Sequence, residues 1–119
     1  MFFDMEVLRI ENQWKWGYSV TLVAEGCGIL AVDFERGYEW GYLNSLTVHP
    51  SRRRQGIGRM LMEEAEKVIR EEGFDEAQLT VQKDHVWQKE WYERLGYKVI
   101  VSEEDGYWRM RKIFGREQV

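Results

Sequence analysis

A single cysteine, Cys27, and a single proline, Pro50, stand in a chain of 119 residues. One cysteine cannot close an intramolecular disulfide, and it excludes a structural zinc site built from several thiolates. No metal is expected. With one proline and no low-complexity run there is no linker-like break, so residues 1–119 read as one domain. Basic residues are outnumbered, 17 Lys and Arg against 21 Asp and Glu, for a net charge of −4. Counterion release needs a broad basic surface, so nucleic acid is not expected as a partner. No apolar run reaches the length of a bilayer span, and no membrane partner is expected. Met1-Phe2-Phe3-Asp4-Met5-Glu6 lacks the basic region and long apolar core of a secretory signal. The expected location is cytoplasmic.

What is present is a composition of 44% hydrophobic and 32% charged residues, that of a soluble globular protein. Residues 5–10, 18–24 and 28–34 are short runs rich in Val, Leu, Ile and aromatics, separated by turn signals at Trp16-Gly17 and Gly26-Cys27-Gly28. They read as strands joined by hairpins, with Cys27 a loop residue without catalytic consequence. Gly37 precedes another strand, roughly Glu39 to Val48, which ends at Pro50 because proline cannot donate to a ladder. After Gly58 the spacing of Ile57, Met60, Leu61, Ala65, Val68 and Ile69 predicts an amphipathic helix. Glu63 with Lys67 and Glu66 with Arg70 are i,i+4 pairs for its wet face, and Gly73 is its left-handed cap. Ala77–Gln82 reads as a strand. Asp84 is a plausible N-cap for a second helix ending at Leu95 before Gly96. Tyr97–Val101 and Trp108–Phe114 read as a final antiparallel pair turned at Glu104-Asp105-Gly106. The Glu11–Gly17 stretch leaves room only for a turn.

The densest signal lies between the fourth strand and the first helix. Leu46-Thr47-Val48 leads through Pro50 into Arg52-Arg53-Arg54-Gln55-Gly56-Ile57-Gly58-Arg59-Met60. Glycines that expose backbone N–H groups at a helix N-terminus, flanked by guanidinium groups, suit a phosphorylated ligand. A P-loop would need Gly-Lys-Ser/Thr, and Gly58 is followed by Arg59-Met60. A dinucleotide fingerprint would need a further glycine where Leu61 stands. The pattern that fits is Arg/Gln-x-x-Gly-x-Gly/Ala, met by Arg53, Gly56 and Gly58. It resembles the acetyl-CoA pyrophosphate loop of the GCN5-related N-acetyltransferases. Downstream, Trp91-Tyr92-Glu93-Arg94-Leu95-Gly96-Tyr97 is similar to that family's Tyr-Glu-x-Leu-Gly-Phe signature, with Tyr97 in place of phenylalanine. The two motifs occur in the family's order and cover roughly residues 40 to 100.

The resemblance implies an α/β (α+β) fold, β-β-β-β-α-β-α-β-β, with a mixed, mostly antiparallel sheet and two main helices. It also implies acetyl transfer from acetyl-CoA to a primary amine of a small molecule, peptide or protein, through a ternary complex. Arg53, Arg54, Gln55, Gly56, Ile57, Gly58, Arg59 and Met60 would hold the pyrophosphate. Leu46, Thr47 and Val48 would pair with pantetheine in a V-shaped slot between splayed strands. The Val48 N–H would polarise the thioester carbonyl, a contribution of about 3 kcal/mol for one preorganised donor. Tyr92 matches the tyrosine that protonates the departing thiolate in many relatives. On spacing alone a packed aromatic beside Trp91 and Leu95 is the better reading, and the motif is what favours the acid role. His85 stands where many relatives carry a cofactor-binding asparagine.

Two departures accompany the match. The family places one or two helices between its first two strands, where they help wall the acceptor site, and this chain has none there. The positions where relatives carry a basic glutamate hold Tyr42 and Thr80. Glu39, His49, Asp84 and His85 are other candidates, His49 reading as loop, and a water relay is an alternative; no base is assigned. Trp14 and Trp16 lie where the helices are missing, a place for an acceptor pocket or a homodimer contact. A CoA-binding regulatory module of the same fold, without turnover, is the competing reading.

Overall fold

The structure is a computed structural model that describes residues 5–102 and 105–115. The first four residues and Glu104, used in the sequence reading, lie outside this range. The chain runs β1 (Val7–Trp14), β2 (Gly17–Ala24), β3 (Gly28–Glu35), β4 (Gly41–Val48), α1 (Ile57–Glu71), β5 (Glu76–Gln82), α2 (Val86–Arg94), β6 (Lys98–Ser102) and β7 (Tyr107–Ile113). A short 3-10 turn, Pro50–Arg52, follows β4. The strands form one seven-stranded sheet in the order β1-β2-β3-β4-β5-β7-β6. Every neighbouring pair is antiparallel except β4 and β5. This is the mixed α/β architecture expected from the sequence.

Alternation builds one buried face. Val20, Leu22 and Ala24 of β2 join Leu30, Val32 and Phe34 of β3, Leu43 of β4, and Ala77, Leu79 and Val81 of β5. Ile57, Leu61, Met62, Ala65, Val68 and Ile69 of α1 pack on that face, together with Trp91 and Tyr92 of α2 and Leu95 at its C-cap. Met60, expected in the stripe, is half-buried at its edge, and Met62 takes the interior place. Both helices therefore lie on one side of the sheet. At Gly41 the sheet and α1 come close together: a Cβ there would lie 2.5 Å from the Ile69 side chain.

Gly73 closes α1 with φ 95°. The Gly73 N–H bonds the Arg70 carbonyl at 2.9 Å and the Phe74 N–H bonds the Ile69 carbonyl at 3.1 Å, a Schellman cap. Gly96 ends α2 in the same way, through Gly96 N–H to Glu93 and Tyr97 N–H to Tyr92.

Several boundaries differ from the sequence expectation. β1 continues to Trp14 because each of its residues finds a register partner on β2, leaving only Lys15 and Trp16 for the turn. β4 begins at Gly41, after a loop in which Tyr38 stacks on Trp40 at 4.9 Å. The N-cap of α2 is His85, and no side chain caps it. Cys27 is in a turn but buried in the core. Tyr97 is buried ahead of β6, not within it.

Glu66 is the largest correction. It is 6% exposed rather than on the wet face. Tyr97 Oη donates to Glu66 Oε2 at 2.8 Å, and Lys112 Nζ lies 3.0 Å from Oε1. Paired and hydrogen-bonded, the carboxylate is tolerated inside. Arg70, its expected partner, stacks instead over Phe114 at 4.6 Å. The helical i,i+4 ion pairs present are Arg59–Glu63 and Lys89–Glu93.

Candidate active site

β4 decides the geometry of the site. Gly41 and Leu43 face the helices, yet so do Leu46 and Val48, which have the opposite parity. A regular strand cannot satisfy both sets. The register slips accordingly: Ile29 faces Thr47 while Ala31 faces Asn44, which leaves an extra residue in β4. Ser45, at that bulge, has φ 62°. β4 pairs with β5 only at Gly41–Ala77 and Tyr42–Gln78. Beyond Tyr42 the two parallel strands part, β4 staying with β3 and β5 with β7, and a slot opens between them.

Val48 borders this slot with its backbone. His49 N–H donates to the Cys27 carbonyl at 2.7 Å, so Gly28 and Val48 form the non-hydrogen-bonded kind of antiparallel pair. The N–H and C=O of Val48 therefore point away from β3, toward β5. Arg53 Nε donates to that carbonyl at 3.2 Å, and among the described residues no strand partner takes the N–H on that side.

The loop after β4 is shaped for an anion. His49 caps the 3-10 turn, its Nδ1 accepting from the Ser51 N–H at 3.2 Å, which gives this loop histidine a local structural role. Arg54 and Gly56 have φ of 64° and 84°. Left-handed residues interspersed in such a turn bring successive N–H groups to one concave side. Gly56 is the N-cap of α1 without a side-chain cap bond, and no acidic residue occupies the first turn. The leading N–H groups of a 15-residue helix are thus left to solvent or ligand. Arg52, Arg53 and Arg54 are exposed around them. A Cβ on Gly58 would rest 3.5 Å from the Trp91 indole, so packing alone tolerates one there.

That contact also brings α2 to the loop. Tyr92 follows Trp91 and packs edge-on between Trp91 at 5.0 Å and Tyr97 at 6.1 Å. Burial pushes its phenol up to about 12. Tyr97 is raised further, by burial first and then by the Glu66 carboxylate beside it. β4 and β5 are parallel, so His85, just after β5, lies at the same end of the sheet as the arginine loop. Asp84 Oδ1 is 3.7 Å from its Nε2, and both side chains are exposed. Glu39 precedes β4 and so stands at the opposite end of that strand.

Tyr42 Oη and Thr80 Oγ1 bond each other at 2.7 Å, bridging β4 and β5 where the strands part. On the sheet face away from the helices, Thr80, Asp105, Tyr107 and Arg109 line a cavity of about 230 Å³. Asp33, Asn44 and Gln78 belong to the same face. Of these residues the sequence marks only Tyr42 and Thr80 as site positions and Asp105 as part of a turn, because no local spacing marks the others. Strand pairing alone assembles them.

A split mixed sheet with an uncapped, arginine-flanked helix N-terminus at the mouth of the split is a geometry able to receive a phosphorylated ligand. The sequence profile of the acetyltransferase (GNAT) family matches residues 7–97. The chain belongs to that family. The fold is similar to the PaiA N-acetyltransferase of Thermoplasma acidophilum, solved with coenzyme A (22% identity, TM-score 0.69, 81% of this chain and 60% of that one). It is also similar to a GNAT-family acetyltransferase of Streptococcus pneumoniae (24%, TM-score 0.71, 82% and 67%). A third is an aminoglycoside 6′-N-acetyltransferase complexed with coenzyme A (21%, TM-score 0.70, 84% and 76%). The chain spans about 60% of the Thermoplasma protein's length.

Proposed function

We propose that this chain transfers an acetyl group from acetyl-CoA to a primary amine of a small molecule, peptide or protein, within a ternary complex. The observation that carries the reading is the pairing of the anion-shaped loop, Arg53 to Met60, with an unpaired Val48 N–H on the wall of the adjoining slot. Loop N–H groups and guanidinium charge hold the pyrophosphate. Leu46 and Thr47, with Val48, offer the strand backbone to the pantetheine arm, and His85 adds a contact from the end of β5.

In the reaction the amine nitrogen attacks the thioester carbonyl carbon. A C–N bond forms, the C–S bond breaks, the nitrogen loses a proton and the sulfur gains one. Val48 N–H donates to the carbonyl oxygen as it takes on negative charge. Tyr92 Oη supplies the proton to sulfur, and its raised value keeps it protonated at neutral pH. Deprotonation of the amine is left to solvent, since the positions on either side of the slot apex hold the Tyr42 and Thr80 hydroxyls.

The decisive experiment is a thiol-release assay with acetyl-CoA across a panel of alkylamines and peptides. The transferase reading requires amine-dependent release. Saturable CoA binding without any turnover would favour the regulatory-module reading, which the lack of a carboxylate at Tyr42 and Thr80 supports. We also read the chain as one domain working in the cytoplasm as a homodimer. β6 is an edge strand with Val99, Ile100 and Val101 exposed, a surface suited to a second copy. Trp14 is held through its Nε1 by Ser19, so of the two front tryptophans Trp16, 58% exposed, is the one free to make a contact. Sedimentation velocity at micromolar protein tests the dimer.

A further inference from the structure

A buried ion pair interrupts the apolar side of α1. Glu66 is 6% exposed, and both of its oxygens are taken. Tyr97 Oη donates to Oε2 at 2.8 Å, while Lys112 Nζ lies 3.0 Å from Oε1 and 3.2 Å from Oε2. Replacing a buried pair of this kind by apolar side chains of similar volume is often neutral or stabilising. Stability is therefore a weak reason for its presence. Direction is a better one, because charge-assisted bonds fix a geometry that apolar contact leaves free to slide.

The three side chains come from separate parts of the fold and meet at the end of α2. Glu66 stands on α1, Lys112 on β7, and Tyr97 follows Gly96, which closes α2 at φ 102°. The Lys112 stem crosses that cap: a Cβ on Gly96 would lie 3.2 Å from its Cε and 3.4 Å from its Cδ. Its ammonium is 5.8 Å from the centre of the Tyr97 ring. The helix so clamped needs outside support. None of its nine residues is fully buried, and a helix of that length is marginal in water by itself.

Tyr92 takes its place from this cap. Its carbonyl accepts from the Leu95 N–H at 3.0 Å and from the Tyr97 N–H at 3.1 Å. Its ring packs edge-on against the Tyr97 ring, with 6.1 Å between centres. No described side chain hydrogen-bonds its hydroxyl, so packing aims that oxygen. The Tyr97 ring is in turn hooked to the ion pair through its own hydroxyl. A phenylalanine at position 97 would keep the ring and lose the hook.

We propose that Glu66 and Lys112, acting through Tyr97, hold Tyr92 in the orientation from which it protonates the departing thiolate. Glu66 is a positioning residue: it touches no ligand, and no proton passes through it. A reacting group displaced by about 1 Å can cost on the order of 10²-fold in rate. Loosening the clamp should therefore slow transfer without weakening CoA. This role rests on the reading of Tyr92 as the acid, but the placement of the Tyr92 ring is measurable without turnover.

The test replaces the ion pair by apolar side chains, Glu66→Leu together with Lys112→Met. Single-turnover thiol release at saturating acetyl-CoA should slow roughly tenfold or more. The loss should fall on kcat, with CoA affinity and the KM for the amine unchanged and the melting temperature equal or higher. In a Tyr92→Phe background the same double change should cost no further rate, because groups acting through one another are non-additive. NOEs between the Tyr92 and Tyr97 rings should weaken in the double variant. A wild-type rate in that variant overturns the clamp's role, and so does a loss that persists in full in the Tyr92→Phe background. If the double variant does not fold, Tyr97→Phe, which keeps the ring and both charges, decides by the same comparisons. If Tyr92→Phe alone turns over at the wild-type rate, the positioning role falls and the transferase reading survives. If the wild type releases no thiol with any amine, the transferase reading falls and the ring NOEs judge the clamp: weakened NOEs leave it standing, and unchanged ones overturn it.

Discussion

Replacing Tyr92 by phenylalanine removes one oxygen and keeps the ring, and the surroundings of that oxygen set the size of each effect. The ring contacts with Trp91 at 5.0 Å and Tyr97 at 6.1 Å survive the change. No described side chain hydrogen-bonds the hydroxyl. Deleting a half-buried hydroxyl that has no partner is close to neutral for stability, so the melting temperature should hold or rise slightly. For a general acid the rate should fall by about 10²–10⁴-fold, or ~2.7–5.5 kcal/mol of transition-state stabilisation. Burial pushes the phenol up to about 12, against ~8.5 for a free thiol, a gap of roughly 3.5 units or about 5 kcal/mol. Complete transfer to a solvated thiolate is therefore uphill. The acid works only as the C–S bond breaks in the slot, where desolvation makes the sulfur more basic as well. The same burial puts any loss of rate from Tyr92 ionisation near pH 12 rather than near ~10. Single-turnover thiol release at saturating acetyl-CoA measures the step directly. A wild-type rate in Tyr92→Phe would refute the argument, and so would a slower rate that merely tracks a large drop in melting temperature.

Gly56→Glu should weaken CoA at least roughly tenfold by calorimetry, from like charge in the cradle. Gly56→Ala, which carries only the ~1–2 kcal/mol strain of a side chain at φ 84°, should cost stability more than affinity. Tyr97→Phe, although it restores the family's phenylalanine, leaves Glu66 short of a donor and should lower urea stability by about 1–3 kcal/mol; an equally stable variant would show that Lys112 suffices. Gly41→Ala places a Cβ 2.5 Å from Ile69 and should cost about 1–3 kcal/mol, read from the shift in denaturation midpoint. Burial raises Tyr92 and Tyr97, so the stability tied to their neutral forms is fully present below pH ~10, the unfolded value, and is lost as pH climbs toward and past about 12. Alkaline denaturation should begin later in Tyr92→Phe.

The parts of this molecule legible in the sequence are those whose physics is local. The arginine–glycine loop, the stripe of α1 and the cap at Gly73 depend on residues within a few positions of one another. The structure places them as the spacing required, with Gly73 at φ 95° and Gly56 at φ 84°. Two motifs of that kind sufficed for the family and the strand–helix order. Features that depend on distant residues were not legible. Glu66 reads as a surface residue until Tyr97 and Lys112, 31 and 46 positions away, come to pair with it. The parity change between Leu43 and Leu46 hints at a bulge, but only the register with β3 places it at Ser45. Asp33, Tyr42 and Gln78 have no linear relation at all. They share a row because β3, β4 and β5 lie side by side, and a side chain's neighbours across a sheet are set by pairing and register, which no single strand encodes.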